Sequence, residues 1–134
     1  MSKFSNKDTL PICDQNHVHE DVVDIMCREL PEEGDFIEAA DLFSLLSDST
    51  RLRMLWILCH SEACVCDIAE IIGMSSPAVS HHLRSLKQLG IITFRRQGKE
   101  VHYTLANTIE GITIHRLIDS IFDEEEFICK KNIH

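Results

Sequence analysis

The sequence predicts a mainly α-helical domain with one small β-hairpin, and three features carry that prediction. Residues 65 to 89 hold two amphipathic runs on either side of a glycine turn. Residues 91 to 105 hold two strand-like runs on either side of Gln97-Gly98-Lys99-Glu100. Elsewhere apolar residues recur at helical spacing, without an internal repeat. A chain of 134 residues with 44% hydrophobic content can bury one modest core.

Taken in order, residues 1 to 17 are polar, contain Pro11 and lack periodicity, so they read as a flexible arm. His19 to Leu30 is a short amphipathic helix with Val22, Val23, Ile25 and Met26, and Pro31-Glu32-Glu33-Gly34-Asp35 is a turn-rich break. Phe36, Ile37, Ala40, Leu42, Phe43, Leu45 and Leu46 then recur at helical spacing up to Ser47-Asp48-Ser49, where Asp48 can cap the next helix. That helix has Leu52, Leu55, Trp56, Leu58 and Cys59 as its buried stripe. A short helix over 65–72 closes on Gly73, and Ser75 or Ser76 can cap a second helix that tolerates Pro77 in its first turn and runs to Gly90. A final helix from about Thr108 to Phe122 carries Ile114, Leu117, Ile118, Ile121 and Phe122, a stripe wide enough either to pack on its own domain or to form a dimer face. The expected organisation is an N-terminal arm and short helix at 1–34, a domain of helices with one hairpin at 35–124 and a tail at 125–134.

The net charge of −9 argues at first against a polyanionic partner, but its distribution reverses that reading. The first fifty residues hold three Lys/Arg against twelve Asp/Glu and so account for all of it. Residues 75 to 103 hold Arg84, Lys87, Arg95, Arg96 and Lys99 against Glu100 alone. A local basic patch decides docking even on an acidic protein, although the same charges also fit an ordinary solvated face.

Two helices across a turn centred on Gly73 form a helix-turn-helix, whose second helix places its N-terminal residues on base edges in the major groove. That stretch is Ser75, Ser76, Pro77, Ala78, Ser80, His81 and His82, with Arg84 and Lys87 further along in positions that suit phosphates. The hairpin reads as a wing whose Arg95, Arg96 and Lys99 can grip the DNA backbone.

The chain opens without the apolar run of a signal peptide and has no stretch near the roughly 20 apolar residues that cross a bilayer. A cytoplasmic protein is expected, so its six cysteines read as thiols, metal ligands or redox sensors rather than disulfides. Cys59 continues an apolar helical run and reads as core, whereas Cys27 and Cys129 stay unassigned. Cys64 and Cys66 stand where a polar turn becomes a helix, and a helix N-terminus favours the thiolate that soft metals bind. Two thiolates do not complete a site, because zinc is almost always four-coordinate. No orienting acid or oxyanion-forming loop accompanies a Cys–His pair, so an enzyme is not expected.

Leu46-Ser47-Asp48-Ser49-Thr50-Arg51-Leu52-Arg53, Cys64-Val65-Cys66-Asp67-Ile68-Ala69 and Ala78-Val79-Ser80-His81-His82-Leu83-Arg84-Ser85-Leu86 follow one another in an order that resembles the ArsR/SmtB metal-sensing repressors, over roughly residues 36 to 122. The resemblance implies a homodimeric winged helix-turn-helix that occupies an inverted-repeat operator on double-stranded DNA and leaves it when metal binds, with Ser80 and His81 at DNA-contacting positions. Of the family's two ligand regions, the one between C-terminal helices would fall on Asn107, Ile109, Ser120 and Asp123, and asparagine and isoleucine cannot supply its carboxylate and imidazole. The other pairs the Cys-Val-Cys helix with an arm. Cys13 and His17 fall where CadC-like sensors place an arm cysteine pair, so Cys13, Cys64, Cys66 and His17 would form a tetrahedral S₃N site, with His19 as the rival fourth ligand. That set suits Zn²⁺ or Cd²⁺, while Pb²⁺ and arsenite favour an all-thiolate one. The alternatives are an arsenite-responsive repressor that uses Cys64 and Cys66 with a third thiol, and a thiol-redox regulator that pairs Cys64 with Cys13 or Cys27.

Overall fold

The computed structural model describes residues 10–15 and 17–122, and the chain divides between Phe36 and Ile37 into two units, each described by itself. The first holds helix α1 (Glu20–Glu29) and the start of α2 (Glu33–Leu46). The second holds the rest of α2, then α3 (Ser49–His60), α4 (Val65–Ile72), α5 (Ser76–Gln88), strands β1 (Ile92–Gln97) and β2 (Glu100–Leu105), and α6 (Ile109–Ile121). This is a mainly helical winged helix-turn-helix.

The helix that was expected from Phe36 begins three residues earlier, inside the segment expected to be a break. Pro31 ends what precedes it, and Asp35 Oδ2 then accepts a hydrogen bond from the Glu32 N–H at 3.2 Å, half of a capping box that carries the chain through Gly34. The later helix starts follow their local chemistry. Asp48 Oδ1 accepts from the N–H groups of Thr50 (2.8 Å) and Arg51 (3.2 Å), Ser75 Oγ accepts from Ala78 N–H (3.3 Å), and Thr108 Oγ1 accepts from Gly111 N–H (3.0 Å). Gly73 at φ +82° ends α4 in the left-handed conformation and makes the turn between the two DNA-motif helices.

The core of the second unit is built from Met54, Leu55, Ile57 and Leu58 of α3, Ile68 of α4, Val79, Leu83 and Leu86 of α5, Ile91 and Ile92, and Ile114 and Ile118 of α6. α3 stands at its centre, in contact with α4, α6 and β2, while α4 packs on α5. The α6 stripe splits. Ile114 and Ile118 are sealed in the core, whereas Leu117 and Ile121 stay exposed, as do Ile112 outside the stripe, Phe43 of α2 and Ile71 of α4.

Strands β1 and β2 pair antiparallel in the register Ile92↔Leu105, Phe94↔Tyr103 and Arg95↔His102, across the two-residue loop Gly98-Lys99. Gly98 has φ +63° and Lys99 has no positive φ, the pattern of a type II′ turn. The segment ahead of α4 adds a third short partner that the sequence did not predict. Ala63 forms an antiparallel bridge with Tyr103, through Ala63 N–H to Tyr103 O (3.1 Å) and Tyr103 N–H to Ala63 O (2.8 Å).

Gly111 lies buried in the first turn of α6, where an added Cβ would collide with the Ala106 carbonyl oxygen and come within 3.1 Å of Ile91 O. Both obstacles are backbone and cannot rotate away. Gly111→Ala is expected to lower unfolding stability by about 3 kcal/mol, at the upper end for overpacking, as read from the urea midpoint. The Asp48 carboxyl is held below its ordinary pKa of 3.8 mainly by the Arg51 N–H. Its stabilising contribution is full above that ordinary value and is lost as pH falls through the lower native one, so Asp48→Asn, which keeps a capping oxygen, should flatten the acid limb of stability against pH.

Candidate metal and nucleic-acid sites

Cys64 is the N-cap of α4 in extended conformation (φ −88°, ψ 169°), and its side chain makes no capping hydrogen bond. Cys66 follows in the first turn and is exposed, Cys64 is partly exposed, and both are free thiols. Soft-metal thiolate ligation needs sulfurs that are accessible and not committed elsewhere, which this pair satisfies. Cys59 is different. It is half-buried against the core, and burial pushes its thiol up to about 11, so it stays protonated at neutral pH.

In the first unit, Cys13, His17 and His19 are exposed, with the two imidazoles edge to face at 5.5 Å between ring centroids. His19 is the N-cap of α1 and, like Cys64, makes no side-chain capping bond. Among the described residues no three His, Cys, Asp or Glu side chains of the chain stand together as a metal-holding group. The candidate ligands thus divide into an imidazole-bearing arm with one thiol and a pair of thiols at a helix start. Cys27 is exposed on α1, and Cys129 lies outside the described residues.

The three consecutive residues Ser80, His81 and His82 do not face one way, because successive helical positions are turned by about 100°. His81 is exposed. His82 is partly buried and its Nδ1 accepts a hydrogen bond from Arg51 Nε–H at 3.3 Å, while Arg51 also donates to Leu45 O at 2.9 Å. An arginine can only donate, so His82 carries its proton on Nε2 and is pinned to α3. Ser75, with its oxygen on the Ala78 N–H, and Ser76 sit exposed at the start of α5, and Arg84 is exposed further along. Lys87 lies over the Phe94 ring at 5.3 Å from its centroid and ties the end of α5 to the wing.

The wing's charge is smaller than a count along the sequence makes it. Glu62, which precedes the counted stretch, takes the Arg95 fork: Arg95 Nε donates to both carboxylate oxygens (3.1 and 3.0 Å) and Nη2 donates to Oε1 at 2.7 Å. Arg95 Nη1 donates to Gln97 Oε1 at 2.9 Å. The pairing with Arg95 also holds the Glu62 carboxyl below the usual carboxylate range. Among the described residues Arg84, Arg96 and Lys99 make no salt bridge. This ion pair was illegible in the sequence, as its members are 33 residues apart and meet only because Ala63 pairs with Tyr103.

Comparisons with known proteins agree with this geometry. Residues 48–93 match the family model described as bacterial regulatory protein, arsR family. A cadmium resistance transcriptional regulatory protein CadC homolog of Staphylococcus aureus is 41% identical over 98 residues, which cover 72% of this chain and 80% of the relative. A transcriptional repressor SmtB homolog of Synechocystis is 37% identical over 106 residues, covering 79% of this chain and 80% of that one. The crystal structure of the transcriptional repressor BigR from Xylella fastidiosa superposes with a TM-score of 0.60 at 29% identity, over 70% of this chain and 92% of that one. Among the described residues no helix is long and apolar enough to cross a membrane.

If Arg96 rests on a DNA phosphate while Arg95 is occupied by Glu62, Arg96→Ala should make the slope of log affinity against log salt shallower by about 0.9, and Arg95→Ala should leave that slope unchanged. Fluorescence-anisotropy titrations of labelled duplex across a salt series measure both.

Proposed function

Because the chain belongs to the ArsR/SmtB family of DNA-binding transcriptional repressors, which are not enzymes, we propose that it represses as a homodimer on an inverted-repeat operator and is released by a soft divalent metal, Zn²⁺ or Cd²⁺, with Pb²⁺ as the softer alternative. The observation that carries the proposal is the pair of free thiols at the start of α4, the first helix of the DNA-reading motif. The name of the Staphylococcus relative, a cadmium resistance regulator, supports the choice of metal.

In this reading α5 enters the major groove with Ser75, Ser76, Ser80 and His81 toward the bases, while Arg84, Arg96 and Lys99 contact phosphates and Lys87 braces the wing through Phe94. His82 acts from behind, through Arg51, by fixing the roll of α5 on α3. The exposed apolar residues Ile112, Leu117 and Ile121 of α6 supply a patch that can face its counterpart on the second copy, in keeping with the two-fold symmetry of an inverted repeat. Cys13 with His17, or His19 in its place, completes the ligand set with Cys64 and Cys66. When bound, the metal supplies a cross-link between arm and helix start. Cys64 and Cys66 then hold α4 in one placement, and α5, packed on α4, shares it. Metal and operator weaken each other by the same factor, as linkage demands.

The test is operator affinity at fixed salt with chelator and with saturating Zn²⁺ or Cd²⁺. The native protein should lose at least roughly fivefold with metal, the low end of allosteric coupling. Metal-insensitive binding by the native protein would overturn the proposal. Cys64→Ser should abolish the response and yet raise metal-free stability by ~1 kcal/mol, because serine is a good N-cap where the cysteine caps nothing. A response that survives His17→Ala with His19→Ala would instead mark a three-thiol site of the arsenite type.

A further inference from the structure

The segment that leads into the thiol pair is fastened to the wing at two levels. Tyr103 of β2 pairs with Phe94 on one side and, through a single bridge, with Ala63 on the other, so the chain just ahead of Cys64 is fastened beside the hairpin. From that position Glu62 reaches across β2 and holds Arg95 of β1 by three contacts of 3.1 Å or less. His102, the β2 residue in register with Arg95, lies within 2.9 Å of Glu100 Oε1 through Nε2. The side chains of Arg95 and Glu62 are 51% and 40% exposed, so the pair adds little to stability. Its significance is geometric: a planar fork on a carboxylate fixes distance and angle together.

We propose that Glu62 is a positioning residue that keeps Arg95 off the operator backbone and forms the strut through which the Cys64 and Cys66 helix start acts on the wing. The strut rests on the metal-released reading above, since it transmits whatever that helix start experiences. Backbone pairing at Ala63 alone holds the segment to β2, and Glu62 extends the connection to β1, the strand that carries Arg95 and Arg96. Displacement of Cys64 is then felt at the basic edge of the hairpin rather than absorbed in a loop.

The experiment compares the native protein with Glu62→Gln and Arg95→Gln, which break the pair from its two exposed ends and leave every candidate metal ligand in place. Metal-free operator binding is read first. Glu62→Gln frees Arg95 for a phosphate, so the log affinity against log salt slope should steepen by about 0.9, whereas Arg95→Gln should not steepen it. The metal-induced loss of operator affinity is read second. Each variant should retain the native Cd²⁺ stoichiometry, from the thiolate-to-metal absorption band, and show a loss smaller than the native one by roughly threefold or more, with no further reduction in the double variant. An unchanged salt slope in Glu62→Gln, or a metal-induced loss equal to the native one, overturns the strut. A native protein that ignores metal overturns the repressor-release reading and the strut's coupling role with it, whereas a native protein that responds beside a variant that responds equally overturns the strut alone.

Discussion

The single antiparallel bridge between Ala63 and Tyr103 is the constraint on which the second unit's working surface depends. A two-stranded hairpin is marginal by itself, and a third partner gives it a fixed edge. The same bridge sets where α4 begins, because only one residue separates Ala63 from the first helical position. Wing, thiol pair and recognition helix are therefore placed by one local pairing. α4 hands that placement to α5 through the packed side chains of Ile68, Val79 and Leu83.

Much of this was legible in the sequence because it is written locally. Asp48, Ser75 and Thr108 announce helix starts through the orphan N–H groups they satisfy, and Gly73 and Gly98 occupy the turns that require positive φ. The hairpin follows from alternation, with Ile92 and Phe94 on one face and Thr93 and Arg95 on the other. What was not legible depends on residues that meet across the fold. Arg51 with His82 and Glu62 with Arg95 are separated by more than thirty positions, and no periodicity foretells which cation will find which partner. The α2 start was misread for a different reason. Pro31 and Gly34 look like a continuous break, but a proline stops only what precedes it, and one carboxylate on the Glu32 N–H suffices to begin a helix through the glycine.

Charge shows the same division between local and distant. The acidic first third and basic middle are facts of composition, yet the field at a surface depends on which charges remain unpaired. Glu62 withdraws Arg95 from the wing, and the cation–π contact draws Lys87 toward Phe94. Arg84, Arg96 and Lys99 are left as the charges most available to phosphate. The basic surface is smaller than the count along the chain, and better directed.

The helix starts also differ in a way that bears on the candidate ligands. α3, α5 and α6 each begin with a side-chain oxygen that accepts a backbone N–H, the arrangement that most stabilises a helix end. α1 and α4 begin with His19 and Cys64, and neither side chain caps anything. Imidazole and thiol are poor caps, so a sequence shaped by stability alone would place serine or aspartate there, as it does elsewhere in the same chain. The positive end of a helix dipole with no capping oxygen is nonetheless a favourable setting for a thiolate. Departures from local rules in an otherwise consistent sequence concentrate where function requires them. Both departures here fall on residues with the donor atoms that a soft metal selects, one on the arm side and one at the helix start. On the proposed metal-released reading, stability forgone at Cys64, and at His19 if it is the arm ligand, is the cost of keeping a sulfur and a nitrogen free to bind.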